Sequence, residues 1–195
     1  MRRLFIAVDL SIQVVERLAT LQAELNATVA DQWGEAVRLG TVKAPNIHLT
    51  LKFLGDTAPE MLPVIQETLR VLCRPLFPFE VECRGVGAFP ELARAQILWA
   101  GVDETSAEVL GLLHRALQRD LVKIGVEKER RPFRPHVTLA RVKSEESRSF
   151  EELLTPLEAV SFGKSFIKDL ILFESRLEPS GARYEVVDRF SLGEN

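Results

Sequence analysis

Histidine is scarce in this chain, with three among 195 residues, and cysteine scarcer still, with two. Cys73 and Cys83 are too few and too unpatterned for a disulfide framework or a cysteine metal cage. No Gly-x-Ser-x-Gly word occurs, so the strand-to-helix elbow that carries many serine nucleophiles is missing. No apolar run approaches the ~20 residues that a membrane-spanning helix needs. An excess of basic charge is also lacking. Lys and Arg total 25 against 28 Asp and Glu, a net charge of −3, and nothing in that balance resembles a protein that coats duplex DNA. The opening MRRLFIAVDL imitates the basic start of a signal peptide, but its apolar run ends at Asp9 and no small-residue cleavage site follows. These absences describe a cytoplasmic, reduced protein with no membrane attachment, and monomer is the default because no oligomer signal is visible. With 46% apolar and 27% charged residues, the composition is that of one large globular domain, or of two small lobes sharing one cleft.

What the chain does contain is one short word written twice. His48-Leu49-Thr50-Leu51 and His136-Val137-Thr138-Leu139 each read His, apolar, Thr, Leu, 88 residues apart. Each lies in an apolar stretch, NIHLTLKFL and HVTLARV, that reads as a strand. Strand side chains alternate faces with ~3.3 Å rise per residue, so His48 shares a face with Thr50, and His136 with Thr138. Leu49, Leu51, Val137 and Leu139 point to the other side. On the same alternation Phe53 and Arg141, five residues after their histidines, fall on the leucine face, and Lys52 becomes the groove residue. A bulge or a strand end after Leu51 and Leu139 would reverse that assignment. Around the second word gather Lys128, Arg130, Arg131, Arg134, Arg141 and Lys143, a local anion site tempered by Glu127 and Glu129. The third histidine, His114 in LGLLHRALQRDL, reads as a helix-surface or boundary residue.

The elements around the two words repeat in order. Strand LFIAVDL (4–10) leads to a helix with Val14, Leu18, Leu21 and Leu25 at helical spacing. A loop from Leu25 to Lys43 then delivers the first His strand. Asp56 or Thr57 is placed to cap a helix through MLPVIQETLRVLC, with Pro59 in its first turn, and strand FEVECRGVG follows. The second half opens with strand ILWAGVD (97–103). Thr105 or Ser106 starts a long helix with Val109, Leu112, Leu113, Ala116, Leu117, Leu121 and Ile124 inward, stopped at Gly125. RPFRP brings in the second His strand, followed by a short helix near 150–157 and a strand FIKDLILFES. A turn Glu178-Pro179-Ser180-Gly181 precedes the last strand, RYEVVDRF. Strand, helix, His strand, helix, strand on both sides reads as an internal duplication. An approximate two-fold would set the His strands face to face across a central groove.

Two histidines on separate strands, with no clear third ligand, do not make a zinc site. Acid–base chemistry suits them better, because an imidazole with an ordinary pKa near ~6.5 is available at neutral pH both as a base and as an acid. One ring on each side of a phosphorus atom serves an in-line displacement. The Thr hydroxyls would then hold non-bridging oxygens, and Arg141 would offer a bidentate guanidinium to the developing charge.

HLTLKF and RPFRPHVTLAR resemble the paired signatures of the two-histidine phosphoesterase superfamily, and within it the RNA 2′,3′-cyclic phosphodiesterases long described as 2′-5′ RNA ligases. LFIAVDL, HLTLKFLGD, GAFP, ILWAGV, RPFRPHVTLARVK, LILFES, GARY and RFSL extend the likeness over nearly the whole chain. The resemblance implies a bilobal α+β fold: two pseudo-two-fold lobes, each a mostly antiparallel sheet with outer helices, and the active-site groove between them. It implies a single domain over 1–195, with the motif strands near 46–54 and 134–142. The activity implied is metal-independent opening of a 2′,3′-cyclic phosphate at an RNA end to a 2′-phosphomonoester, with no cofactor. The partner implied is an RNA with that terminus, tRNA fragments and small cyclic nucleotides included. By the same likeness His48 is the general acid on O3′, and His136 is the general base on water. Thr50, Thr138 and Arg141 hold the phosphate, and Phe53 stacks on the terminal base. The 25–43 loop is longer than this family commonly has, which puts the difference at the substrate rim. Two other activities use the same residues: 2′-5′ joining or its reversal, with a 5′-hydroxyl replacing water, and non-catalytic binding of RNA ends.

Overall fold

The computed structural model describes residues 1–178 and 181–193. Its strands are β1 (Arg2–Val8), β2 (Val37–Thr41), β3 (Leu49–Thr57), β4 (Phe79–Phe89), β5 (Ile97–Val102), β6 (Val137–Ser144), β7 (Ser161–Ile167), β8 (Asp169–Glu178) and β9 (Gly181–Ser191). The α-helices are α1 (Ile12–Trp33), α2 (Leu62–Cys73), α3 (Glu104–Lys123) and α4 (Glu151–Leu154). Strands and helices are separate rather than alternating in a parallel sheet, so the class is α+β. The strands join in the order β7-β4-β5-β6-β3-β1-β8-β9, with β2 on β6, and every pairing is antiparallel.

The centre of this sheet is narrow. β3 meets β6 at one residue pair, Leu49 with Val137. Beyond it, β2 takes over the same edge of β6, from Thr41 opposite Ala140 to Val37 opposite Ser144. Two sheet sections therefore meet at the point where both His words begin. Sequence halves and sheet sections do not coincide. β2 and β4 lie in the section of β6, whereas β8 and β9 extend the section of β1 and β3.

Helices cover one face. α1 lies against β2 and β7, α3 against β3 and β4, and α2 against α3 and β9. The main core fills this layer with Val14, Leu18, Leu21 and Leu25 of α1, as their spacing requires, together with Leu49, Leu51, Val137 and Leu139 of the motif strands. A second, smaller cluster of Phe5, Ala7, Ile171 and Phe173 lies on the opposite face. β1 is thus buried on both sides, which explains its unbroken apolar run. Among the described residues no helix is long and apolar enough to cross a membrane.

Several local expectations change. The stretch read as a loop after Leu25 continues as helix to Trp33, because Val29 and Trp33 extend the i, i+4 series and no Gly or Pro interrupts before Gly34. Gly34 ends the helix with φ +55°, and β2 occupies most of the remaining span up to Lys43. Asp56 and Thr57 remain in β3 and cap nothing. Ala58 and a 3₁₀ turn at Pro59–Met61 intervene before α2. α3 starts earlier than expected, at Glu104 and capped by Asp103 in place of Thr105 or Ser106; Asp103 Oδ1 accepts from the Ser106 amide at 3.1 Å. Its buried stripe is Ser106, Leu110, Leu113, His114, Leu117 and Leu121, so Leu112 is exposed and His114 is interior. FIKDLILFES is two strands separated at Lys168, β7 on β4 and β8 on β1. The turn before the last strand includes Pro179 and Ser180, which lie outside the described residues.

Gly34 offers a test of backbone against packing. A methyl group there meets nothing within 4 Å, so Gly34→Ala adds no clash, only a left-handed backbone that an L side chain resists. The substitution is expected to lower unfolding free energy by ~1–3 kcal/mol, read from urea denaturation. An unchanged midpoint would mean that α1 can end by another route.

Candidate active site

Strand parity decides which side chains share a face with the histidines, and the pairings of β3 and β6 settle it. Along β1, Ile6 is opposite Lys52 and Ala7 is opposite Thr50, so Leu51 is an extra residue in β3. Along β5, Leu98 is opposite Ala140 and Trp99 is opposite Thr138, so Leu139 is the extra residue in β6. Each word carries a β-bulge one residue after its threonine. The extra residue turns the alternation by one step, burying Leu51 and Lys52 together, and Leu139 and Ala140 together. Phe53 and Arg141 then emerge on the histidine side, both exposed. Lys52, the groove residue on simple alternation, is 1% exposed instead. It points into the helix layer, where its ammonium donates to Gln118 Oε1 and to the Glu127 carbonyl. Burial pushes its pKa down.

The single β3–β6 pair sets the register between the words. With Leu49 opposite Val137 in an antiparallel ladder, one step either way sets His48 against Thr138 and Thr50 against His136. Opposed residues share a face, so both histidines and both threonines are directed to one side, the histidines on a diagonal. Diagonal neighbours on adjacent strands lie ~7–8 Å apart, a span that admits one phosphoryl group between two hydrogen-bonding rings.

Each ring is oriented in the same way. His48 Nδ1 is 2.7 Å from the Asn46 carbonyl, and His136 Nδ1 is 2.7 Å from the Arg134 carbonyl. A carbonyl only accepts, so Nδ1 carries the proton in both rings and Nε2 is left for chemistry. His48 Nε2 also lies 2.9 Å from Thr50 Oγ1. Burial holds both imidazoles below their ordinary pKa. The carbonyls of Asn46 and Arg134 oppose that shift; at His48 Asp9 opposes it as well, and the proximity of His136 adds to it. Each ring is therefore poised neutral, and an anion between them would favour protonation.

Aromatic side chains flank both rings, and the sequence reading did not assign them. Around His48 stand Phe5 with centroids 5.0 Å apart, Tyr184 edge-on at 5.2 Å and Phe173 at 6.0 Å. Phe53 lies 6.0 Å from Phe5 and continues this surface outward. His136 is met edge-on by Phe89 at 4.9 Å and by Trp99 at 6.4 Å. Trp99 lies against Gly87, where any side chain would collide with its indole. The uninterrupted apolar runs LFIAV and LILF were the available signal, since a strand buried on both faces must present half of its side chains to the groove side. Asn46 is a further unassigned support: besides its carbonyl on His48, its Nδ2 donates to Ala182 O at 2.8 Å, tying the approach of the first word to β9. The thiols of Cys73 and Cys83 are buried and pushed up to about 12, which makes them unreactive. Among the described residues, no group of three His, Cys, Asp or Glu side chains is gathered for a metal.

Fold and site together define an α+β protein with two histidine–threonine strands meeting at the centre of an antiparallel sheet. The chain belongs to the 2′-5′ RNA ligase superfamily, whose family model matches residues 21–169. It is 32% identical to the RNA 2′,3′-cyclic phosphodiesterase of Methanothermobacter thermautotrophicus, with 97% of this chain and 98% of that protein covered. Among solved structures it is similar to TT0787 of Thermus thermophilus, at 29% identity, 98% coverage of both chains and a TM-score of 0.80. It is also similar to E. coli LigT complexed with 3′-AMP, at 25% identity, 99% coverage of both and a TM-score of 0.76.

The bulge makes Phe53 and Leu51 behave oppositely when truncated. Phe53 is 64% exposed and Leu51 is 1% exposed. Phe53→Ala is expected to leave stability within ~0.5 kcal/mol, whereas Leu51→Ala should cost ~2–5 kcal/mol. Urea unfolding of both variants checks this, and a large loss for Phe53→Ala would return that ring to the core.

Proposed function

We propose that this protein hydrolyses RNA 2′,3′-cyclic phosphate ends to 2′-phosphomonoesters without a metal, using His48 and His136 as the acid–base pair. The observation that carries the reading is the repeated geometry of the two rings: the same carbonyl lock on Nδ1, the same bulge after the threonine, and a register that directs both to one side. His136 Nε2 takes a proton from water as its oxygen bonds to phosphorus, and His48 Nε2–H gives a proton to O3′ as the P–O3′ bond breaks. Thr50, Thr138 and the Arg141 guanidinium hold the non-bridging oxygens. Phe53, exposed beside the aromatic surface around His48, stacks on the terminal base. We read 1–195 as one domain, with the segments near 46–54 and 134–142 as copies of one ancestral unit and the two sheet sections as its lobes. The same atoms serve 2′-5′ joining if a 5′-hydroxyl replaces water, a reading that the description of the superfamily favours as the alternative. An RNA-end binder without turnover is the remaining one.

The test is a short RNA ending in a 2′,3′-cyclic phosphate, incubated with excess EDTA and analysed at the product end. Addition of one water, leaving a 2′-phosphate, is the expected outcome; a joined product supports the ligase reading, and no turnover supports binding alone. His48→Ala and His136→Ala should each lower kcat by ~10²–10⁴-fold, and an unchanged rate in either removes that residue from the mechanism. Arg141→Lys loses the planar fork and should cost ~10–100-fold in kcat/KM.

The pH profile follows from the burial of the rings. Since both free-enzyme imidazoles lie below ~6.5, kcat/KM is expected to peak on the acid side of that value. It should fall as pH rises, when the acid loses its proton. An optimum above pH ~8 would contradict the pairing of these two groups.

A further inference from the structure

The carbonyls of the two extra residues, Leu51 and Leu139, are each reached by a polar side chain from a helix, and Leu139 O also accepts from the Val42 amide at 2.9 Å. His114 of α3 has Nδ1 2.9 Å from Leu51 O. Gln22 of α1 donates through Nε2 to Leu139 O at 2.6 Å. Both side chains are buried, at 7% and 6% exposure, and both lie eleven residues past their helix caps, Asp103 and Ser11. The pairing is crossed. The helix preceding the first word serves the bulge of the second, and the helix preceding the second word serves the bulge of the first.

Each side chain has a second contact, and the two are again related by exchange. Gln22 Nε2 donates to Val42 O at 2.9 Å, and Val42 leads the approach to His48. The His114 ring stacks on Phe133 with centroids 4.3 Å apart and planes 2° from parallel. Phe133 adjoins Arg134, whose carbonyl holds His136 Nδ1. One end of each tie therefore sits on the bulge beneath one word, and the other on the backbone that delivers the other word's histidine.

We propose that Gln22 and His114 are positioning residues, a crossed pair of ties that fixes the spacing and orientation of His48 and His136 across the narrow β3–β6 joint. The inference rests on the proposed phosphodiesterase reading for its kinetic consequence, though the ties themselves act with or without substrate. One residue pair cannot by itself hold two sheet sections in a fixed relation. α3 spans both sections, against β3 and β4, and the ties add directed hydrogen bonds at the motif strands themselves, on the helix side where they touch no substrate. Loss of either allows the rings to drift, and a displacement of ~1 Å at a reacting pair costs on the order of 10²-fold in rate.

The experiment uses the full chain with His114→Leu and Gln22→Leu, and with two gentler variants. His114→Gln places on α3 the donor that α1 already uses; Gln22→Asn keeps the amide but shortens its reach. In folded protein, His114→Leu, Gln22→Leu and Gln22→Asn are expected to lower kcat by ~10–100-fold with KM little changed, and His114→Gln is expected to recover most of the loss. A merely structural role would lower Tm without that split or that rescue. A second readout needs no substrate. The imidazole nitrogen NMR signals of His48 and His136 should both move in each of the three lowering variants, because each tie touches both words. If both signals and kcat stay at wild-type values in folded His114→Leu and Gln22→Leu, the ties do not position the site. Should the leucine variants not fold, Gln22→Asn and His114→Gln decide by the same two readouts. A wild-type protein without turnover removes the proposed function and leaves the NMR signals to judge the ties.

Discussion

A β-strand alternates its side chains, so groups at offsets zero, two and five from one residue cannot share a face. Histidine, threonine and a terminal Phe or Arg stand at those offsets in both words, and the proposed function places all three on one side. The conflict is removed by one extra residue in each strand, Leu51 and Leu139, which reverses the parity downstream. Everything else about the site depends on this. Without the bulge Arg141 would turn into the helix layer beside Leu139, and Lys52 would take the place of Phe53 in the groove. With it, Phe53 and Arg141 emerge exposed on the side of the histidines.

The bulges also explain why the helix layer contains polar side chains. A bulge disturbs the ladder locally, and a buried carbonyl has two lone pairs to engage; Leu139 O takes the Val42 amide as well as a side chain. Gln22 and His114 meet the carbonyls of Leu139 and Leu51 from α1 and α3. Lys52, carried inward by the parity change, finds Gln118 and the Glu127 carbonyl. Removing one partner of such a buried bond costs ~1–3 kcal/mol, so these polar groups form a matched set rather than isolated exceptions. The set accompanies the two bulges, on the face of the sheet opposite the histidines.

Much of this was legible from residues alone. The two words, their alternation and the inward face of α1 follow from spacing that the fold preserves. Other features depended on tertiary context. The 26–33 stretch looked like loop because Asn26, Thr28 and Asp31 dilute its pattern, yet packing of Val29 and Trp33 keeps it helical, with Trp33 set edge-on against Phe150 at 5.0 Å. His114 was placed on a surface because a polar residue among leucines usually faces water. Its real position depends on a carbonyl 63 residues away, which no local pattern reveals. The bulges themselves left one sequence trace: a Phe and an Arg at an offset that ordinary alternation would waste.

The electrostatics complete the argument from the same geometry. Both rings are fixed through Nδ1 by a carbonyl two residues earlier, which leaves the same atom, Nε2, available on each. Burial favours the neutral ring, which suits a base but not an acid. The rings nevertheless differ in the free site: His48 Nε2 lies 2.9 Å from Thr50 Oγ1 and Asp9 favours its charged form, whereas neither influence is found at His136 among the described residues. On the proposed reading, a phosphate anion bound between them would stabilise an imidazolium, and the ring facing the leaving oxygen would hold that proton. The fold thus gives both rings the same Nδ1 lock, while the unequal neighbours of Nε2, together with the direction of a bound ester, would decide which ring serves as acid and which as base under the proposed function.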